Sequence, residues 1–133
     1  MIQGQRVTLI FIKDKSILLM YRFKDGVEYY VFPGGGVEEG ETPEEAAVRE
    51  AKEETSLDVE DLKKLWEVQN KDRLEHYFYV SKFEGSIKIA GPEADRQASD
   101  NVYRLEWIPF DKILELELKP DAMKQRVIDE VIK

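Results

Sequence analysis

Glu50, Glu53 and Glu54 stand beside Arg49 in the run Arg49-Glu50-Ala51-Lys52-Glu53-Glu54. On a helix advancing about 100° per residue, Glu53 falls about 60° to one side of Glu50 and Glu54 about 40° to the other. The three carboxylates then share an arc of about 100° within roughly one turn. Like charges so placed destabilise a helix by about a few tenths of a kcal/mol per pair, and they raise one another's pKa. A divalent cation removes both penalties, and a donor set made only of oxygen suits magnesium, manganese or calcium. A calcium loop of the EF-hand type is excluded, because its alternating Asp/Asn ligands are missing.

The flanking residues fit a cation site. Arg49 can reach Glu45 or Glu53 at four-residue spacing. Ala47, Val48, Ala51 and Thr55 form a small, mostly apolar stripe that lets the helix lie close to a sheet, with its acidic edge at the rim of a cleft. Before the helix, Pro33-Gly34-Gly35-Gly36 offers backbone amides and carbonyls with no side chain in the way, a place for phosphate oxygens or a metal to approach. This run lacks the Lys and Ser/Thr of a P-loop and carries little weight alone.

The elements that must position these groups can be read in order. Strands are expected over Val7–Lys13, Ser16–Phe23 and Val27–Phe32, joined by turns at Asp14-Lys15 and Asp25-Gly26. Thr42 as N-cap, Pro43 in the first helical position and Glu45 completing a capping box predict a helix from Pro43 to about Thr55. Lys63–Gln69 and Leu74–Phe83 read as paired strands around a polar turn at 70–73. Residues 91–101 read as a loop, and Val102–Ile108 as a strand. Phe110–Leu116 and Pro120–Ile132 read as helices, the second amphipathic. Strands interleaved with helices predict an α+β domain, a sandwich around a central mixed β-sheet, spanning the 133 residues as one unit.

Composition narrows the function classes. The chain has no cysteine, so a disulfide scaffold and a thiolate metal site are excluded. No signal peptide and no spanning apolar run is seen, and the cytoplasm is the expected location. A net charge of −8 disfavours binding to nucleic acid or an anionic membrane. An acidic protein acting on a phosphate compound needs a cation to screen the two.

The stretch from Gly35 to Leu57 resembles the Nudix box of the Nudix hydrolases, the MutT-like pyrophosphohydrolases. Gly35, Glu41, Arg49, Glu50, Glu53, Glu54 and Leu57 stand in register with that motif, and Phe32-Pro33-Gly34-Gly35-Gly36-Val37-Glu38 looks like its usual lead-in. The strand order, with Trp107-Ile108-Pro109 ahead of the C-terminal helices, extends a looser resemblance over most of the chain. Two positions depart: Ala51 stands where a larger aliphatic is usual, and Ser56 where the family has glycine. That glycine ends the helix in a left-handed conformation, which another residue adopts at a cost of about 1 kcal/mol.

The resemblance implies a Nudix fold and hydrolysis of a nucleoside diphosphate linked to another group. By analogy Glu50, Glu53 and Glu54 hold Mg2+, with Mn2+ as a substitute, aided by a carbonyl of Gly34 or Gly35. One of these glutamates, Glu53 or Glu50 foremost, activates water, while Glu41 and Arg49 orient the helix and its ligands. A further carboxylate outside the box, Glu93 or Asp95, is a second candidate base. Arg22 is expected to meet a phosphate or base, with a solvated strand-end arginine as the plain alternative. Phe32, Tyr29 and Tyr79 could stack on a nucleobase, although aromatic residues in strands are more often core. His76, the only histidine, reads as structural.

The expected substrate is a small nucleotide, first a nucleoside triphosphate, oxidised forms included, giving a nucleoside monophosphate and pyrophosphate. ADP-ribose or another nucleotide sugar is the alternative. A non-catalytic nucleotide sensor on the same fold is a further reading, set back by the complete set of box glutamates. The protein is expected to act as a monomer or homodimer.

Overall fold

The computed structural model describes residues 4–88 and 101–132. Among the described residues eight strands make a mixed sheet: β1 (Gly4–Lys13), β2 (Ser16–Lys24), β3 (Val27–Val31), β4 (Gly34–Gly36), β5 (Asp58–Asn70), β6 (Arg73–Glu84), β7 (Asn101–Pro109) and β8 (Leu118–Lys119). The sheet runs β5-β6-β1-β2-β3-β8, with β4 also pairing with β1 and β7 with β2. β1 and β6 are parallel through eight register pairs, whereas the hairpins β2–β3 and β5–β6 are antiparallel. Among the described residues two α-helices complete the fold, α1 (Pro43–Thr55) and α2 (Asp121–Val127).

Side-chain alternation splits the core in two. Val7, Leu9 and Phe11 of β1, Leu18 of β2 and Phe78 and Val80 of β6 face α1, whose Ala46, Ala47 and Ala51 meet them. Ile10, Ile17, Leu19 and Tyr77 point the other way, to Met123 and Val127 of α2 and Ile128 beyond it. The result is the expected α+β sandwich, one helix on each face of a mixed sheet. Among the described residues no helix is long and apolar enough to cross a membrane.

Helix α1 begins where its caps dictate. The Thr42 hydroxyl accepts from the Glu45 amide at 3.1 Å, and the Glu45 carboxylate accepts from the Thr42 amide at 2.9 Å. The helix ends at Ser56, which is left-handed with φ 68° and whose amide donates to the Lys52 carbonyl.

Several boundaries differ from those expected. Gly34–Gly36, for which no strand was expected, pairs with Arg6–Thr8 as a short strand. Glycine is required there: a Cβ on Gly34 would lie 2.1 Å from the Val7 carbonyl oxygen. β5 starts at Asp58, ahead of the expected Lys63, because irregularities at Val59/Asp61, Asp61/Leu62 and Lys64/Trp66 hide its period. Phe110–Glu115 forms a 3-10 turn after Pro109, too short to settle into an α-helix. Pro120 caps α2 from outside, and the helix widens into a π-type turn over Ile128–Ile132. Val48 is exposed, and Ala46 takes the place expected of it in the apolar stripe.

Candidate functional site

Arg49 is the centre of the acidic cluster. Its Nε donates to Glu41 Oε2 at 2.8 Å and its Nη2 to Glu41 Oε1 at 2.9 Å, a two-pronged pair. Its Nη1 donates to Glu50 Oε1 at 2.7 Å and to Glu53 Oε2 at 3.0 Å. Nη2 also donates to the Gly36 carbonyl at 2.8 Å, which ties α1 to β4. Glu41 is anchored from its other side by the Glu38 amide at 3.0 Å. Glu45 is engaged in the N-cap, so of the two partners expected for Arg49 only Glu53 is met.

These pairings set the charge states. The Arg49 guanidinium, then the Glu38 amide, hold the Glu41 carboxyl down at about 2, from its ordinary 4.5. A carboxyl depressed on folding contributes stability that is complete above 4.5 and is lost as pH falls towards 2. Glu41, and then Glu50, push the Arg49 pKa up against the opposing effect of burial. Arg49 is therefore a permanent cation among Glu41, Glu50 and Glu53, with the Glu38 carboxylate farther off at 3.7 Å.

The glutamates and the glycine strand line a cavity of about 370 Å³. Gly34, Gly35, Gly36, Glu50, Glu53 and Glu54 form one side of it. A Cβ on Gly35 would fall 2.1 Å from Glu50 Oε2, so the Glu50 carboxylate lies directly on the Gly35 backbone. Glu54 is buried, and its Oε1 accepts a long hydrogen bond of 3.4 Å from the Gly34 amide. Glu53 is half exposed at the mouth. Among the described residues no three acidic or histidine side chains already converge as a cage. Arg49 draws on Glu50 and Glu53 while Glu54 turns to Gly34.

The donor set nonetheless fits a hard divalent cation. It consists of carboxylate and carbonyl oxygens on one helix face and one glycine strand, and the side-chain-free wall at Gly35 leaves room for a Glu50 carboxylate beside backbone oxygen.

The other expected residues fall as follows. Arg22 lines this cavity, donates to Asn101 Oδ1 at 2.9 Å and stacks over the Tyr103 ring at 3.7 Å. Phe32 is in the core, edge-on to Tyr77 at 6.1 Å, and also lines a second, larger cavity. Tyr29 and Tyr79 are partly buried. His76 is buried with its Nε2 2.7 Å from Gln5 Oε1, a structural setting. Burial, and next the nearby Lys64, lower its pKa. Glu93 and Asp95 lie outside the described residues. Arg6 and Tyr103, which the sequence did not single out, also line the acidic cavity. Neither sits in a motif, and only strand pairing brings them there: Arg6 opposite Gly36, and Tyr103 opposite Arg22.

The chain is 40% identical over 53 residues to a dihydroneopterin triphosphate diphosphatase of Escherichia coli, covering 40% of this chain and 35% of that protein. It is 36% identical over 106 residues to an ADP-ribose pyrophosphatase of Methanocaldococcus jannaschii, covering 74% of this chain and 62% of that protein. The matched regions thus span about a third to two-thirds of these curated relatives. A solved MutT structure, from work on Aliivibrio salmonicida and Vibrio cholerae, superposes with a TM-score of 0.77 at 21% identity, covering 96% of this chain and 98% of that one. At that identity the likeness shows the fold. The model of the NUDIX domain matches residues 3–130, so the chain belongs to the Nudix family.

Proposed function

We propose that this protein is a divalent-metal-dependent hydrolase that cleaves the diphosphate linkage of a nucleoside diphosphate derivative. The observation that carries the reading is the set of Glu50, Glu53 and Glu54 facing Gly34–Gly36 across one cavity, with Arg49 holding two of them. Glu50, Glu53, Glu54 and a carbonyl of Gly34 or Gly35 would hold Mg2+ or Mn2+. When bound, the ion supplies neutralisation of phosphoryl charge and a lowered pKa for water.

The chain's own residues do the rest. A glutamate of the cluster, Glu53 foremost, takes the proton of the attacking water, whose oxygen bonds to phosphorus as the bridging P–O bond breaks towards the departing pyrophosphate or phosphate ester. Glu41 and Arg49 fix the helix face and its carboxylates. Arg22 meets a phosphate oxygen, and Phe32 backs the organic part of the ligand.

A nucleoside triphosphate, oxidised forms included, is the first substrate class, giving a nucleoside monophosphate and pyrophosphate. Likeness to the triphosphate diphosphatase supports it. Likeness to the ADP-ribose pyrophosphatase over three-quarters of the chain supports a nucleotide sugar as the second reading. A panel of nucleoside triphosphates and nucleotide sugars, incubated with Mg2+ or Mn2+ and resolved by mass, tests both. Release of a monophosphate from at least one compound is expected; no cleavage of any with either metal ion would reject the hydrolase reading.

A further inference from the structure

The larger cavity, about 520 Å³, gathers cations. Arg6, Arg22, Arg73 and Lys119 line it, in a chain whose net charge is −8. They come from four strands, β1, β2, β6 and β8, which the sheet order β6-β1-β2-β3-β8 brings to one side. The carboxylates of the cavity are Glu75 and Asp121. Glu75 is buried and committed to Arg73 at 3.0 Å, and Asp121 is exposed. Arg6 stands opposite Glu75 in the ladder of β1 and β6. Even so, among the described residues Arg6, Arg22 and Lys119 form no ion pair. Arg22 Nη2 reaches a neutral acceptor, Asn101 Oδ1, at 2.9 Å, and its Nε is buried with no partner among the described residues. Lys119 Nζ meets the Tyr29 ring, 6.0 Å from its centroid. A half-buried guanidinium is ordinarily paired, because it gives up hydration that a counter-charge must replace. Arg6 and Arg22 are both half-buried.

We propose that the larger cavity holds an anion, and that the organic part of the substrate carries a phosphate ester besides the diphosphate that is cut. This rests on the hydrolase reading above and narrows its substrate class to nucleotides phosphorylated on a ribose. Arg6 and Arg22 also border the acidic cavity, where the scissile linkage belongs. Arg73 and Lys119 line the larger cavity alone, together with Phe32. The charges of these two are thus aimed at the group that Phe32 backs, beyond the linkage. A ribose phosphate there accepts charge-assisted hydrogen bonds from Lys119 and Arg6 and supplies the counter-charge that both lack. The cavity has the volume of a typical small-molecule site and so admits the sugar as well as its phosphate.

The test uses three matched pairs: ADP-ribose and its 2′-phosphate, 3′-dephospho-coenzyme A and coenzyme A, and ATP and adenosine 5′-tetraphosphate. The first two add a phosphate ester to a ribose, and the third lengthens the phosphate chain. Binding is measured by calorimetric titration in EDTA, and turnover with Mg2+, on wild type, Arg6→Gln and Lys119→Gln, with melting temperatures to check the fold. Wild type is expected to favour the ester in at least one ribose pair by about tenfold in Kd and kcat/KM, the worth of one charge-assisted hydrogen bond. The ratio should shrink as salt rises, and each variant should bring it towards one. No ribose-phosphate preference in wild type overturns the proposal, as does a ratio retained by either variant or a preference confined to the tetraphosphate. A binding ratio that falls in the variants, with no turnover of any compound, rejects the hydrolase reading and leaves the anion seat standing. Equal turnover within every pair rejects the seat and leaves the hydrolase reading standing.

Discussion

Three carboxylates on one helix face repel, and Arg49 is what makes the arrangement tolerable. It spreads one permanent positive charge over Glu41, Glu50 and Glu53. Glu53 is the member that reaches the cavity mouth half exposed, so it can change partners without breaking the core. Glu53→Gln keeps the shape and removes the proposed base. Turnover on any accepted nucleotide is expected to fall by about 10²- to 10⁴-fold, with an unchanged melting temperature; near-normal turnover would remove Glu53 from the chemistry. These residues are legible in the sequence because their spacing is their geometry: a helix places 50, 53 and 54 together regardless of what surrounds it. The hub role of Arg49 is only half legible there. Reach along the helix identifies Glu53, but Glu41 and the Gly36 carbonyl come from the loop and strand that precede it.

Caps show how closely local sequence sets the elements. The Thr42–Glu45 box and Pro43 start α1 where expected, because each supplies or dispenses with a backbone hydrogen bond at the first turn. Ser56 ends it in the left-handed region, the position at which a glycine is free of strain. Its hydroxyl recovers part of the cost by donating to the Lys88 carbonyl at 3.1 Å. Ser56→Gly should therefore be neutral or stabilising by up to about 1 kcal/mol in urea unfolding; a clear loss of stability would show that the Lys88 contact outweighs the backbone strain. Elements without such signals are not legible in this way. The bulged start of β5 and the glycine strand β4 carry no periodicity, and both exist through pairing with a distant partner, β5 with β6 and β4 with β1.

At the scale of the molecule, a chain of net charge −8 gathers acidic groups on one cavity and places Arg6 and Arg22 where that cavity meets its neighbour. A cation that binds the folded carboxylates and not the unfolded chain must stabilise the fold. Mg2+ at a hundredfold excess over its Kd is expected to add about 2.7 kcal/mol and raise Tm accordingly; no shift at saturating Mg2+ or Mn2+ in a thermal melt would count against the site. The sequence alone determined the helix, its caps, its acidic face and the family resemblance, since all of these are short-range patterns along one element. The tertiary structure decided which strands face which helix, that a glycine strand would lie under Glu50, and that Arg6, Tyr77 and Tyr103 would join Arg22 around two cavities. Those residues lie far apart in the chain and meet only through strand register, which no local pattern encodes.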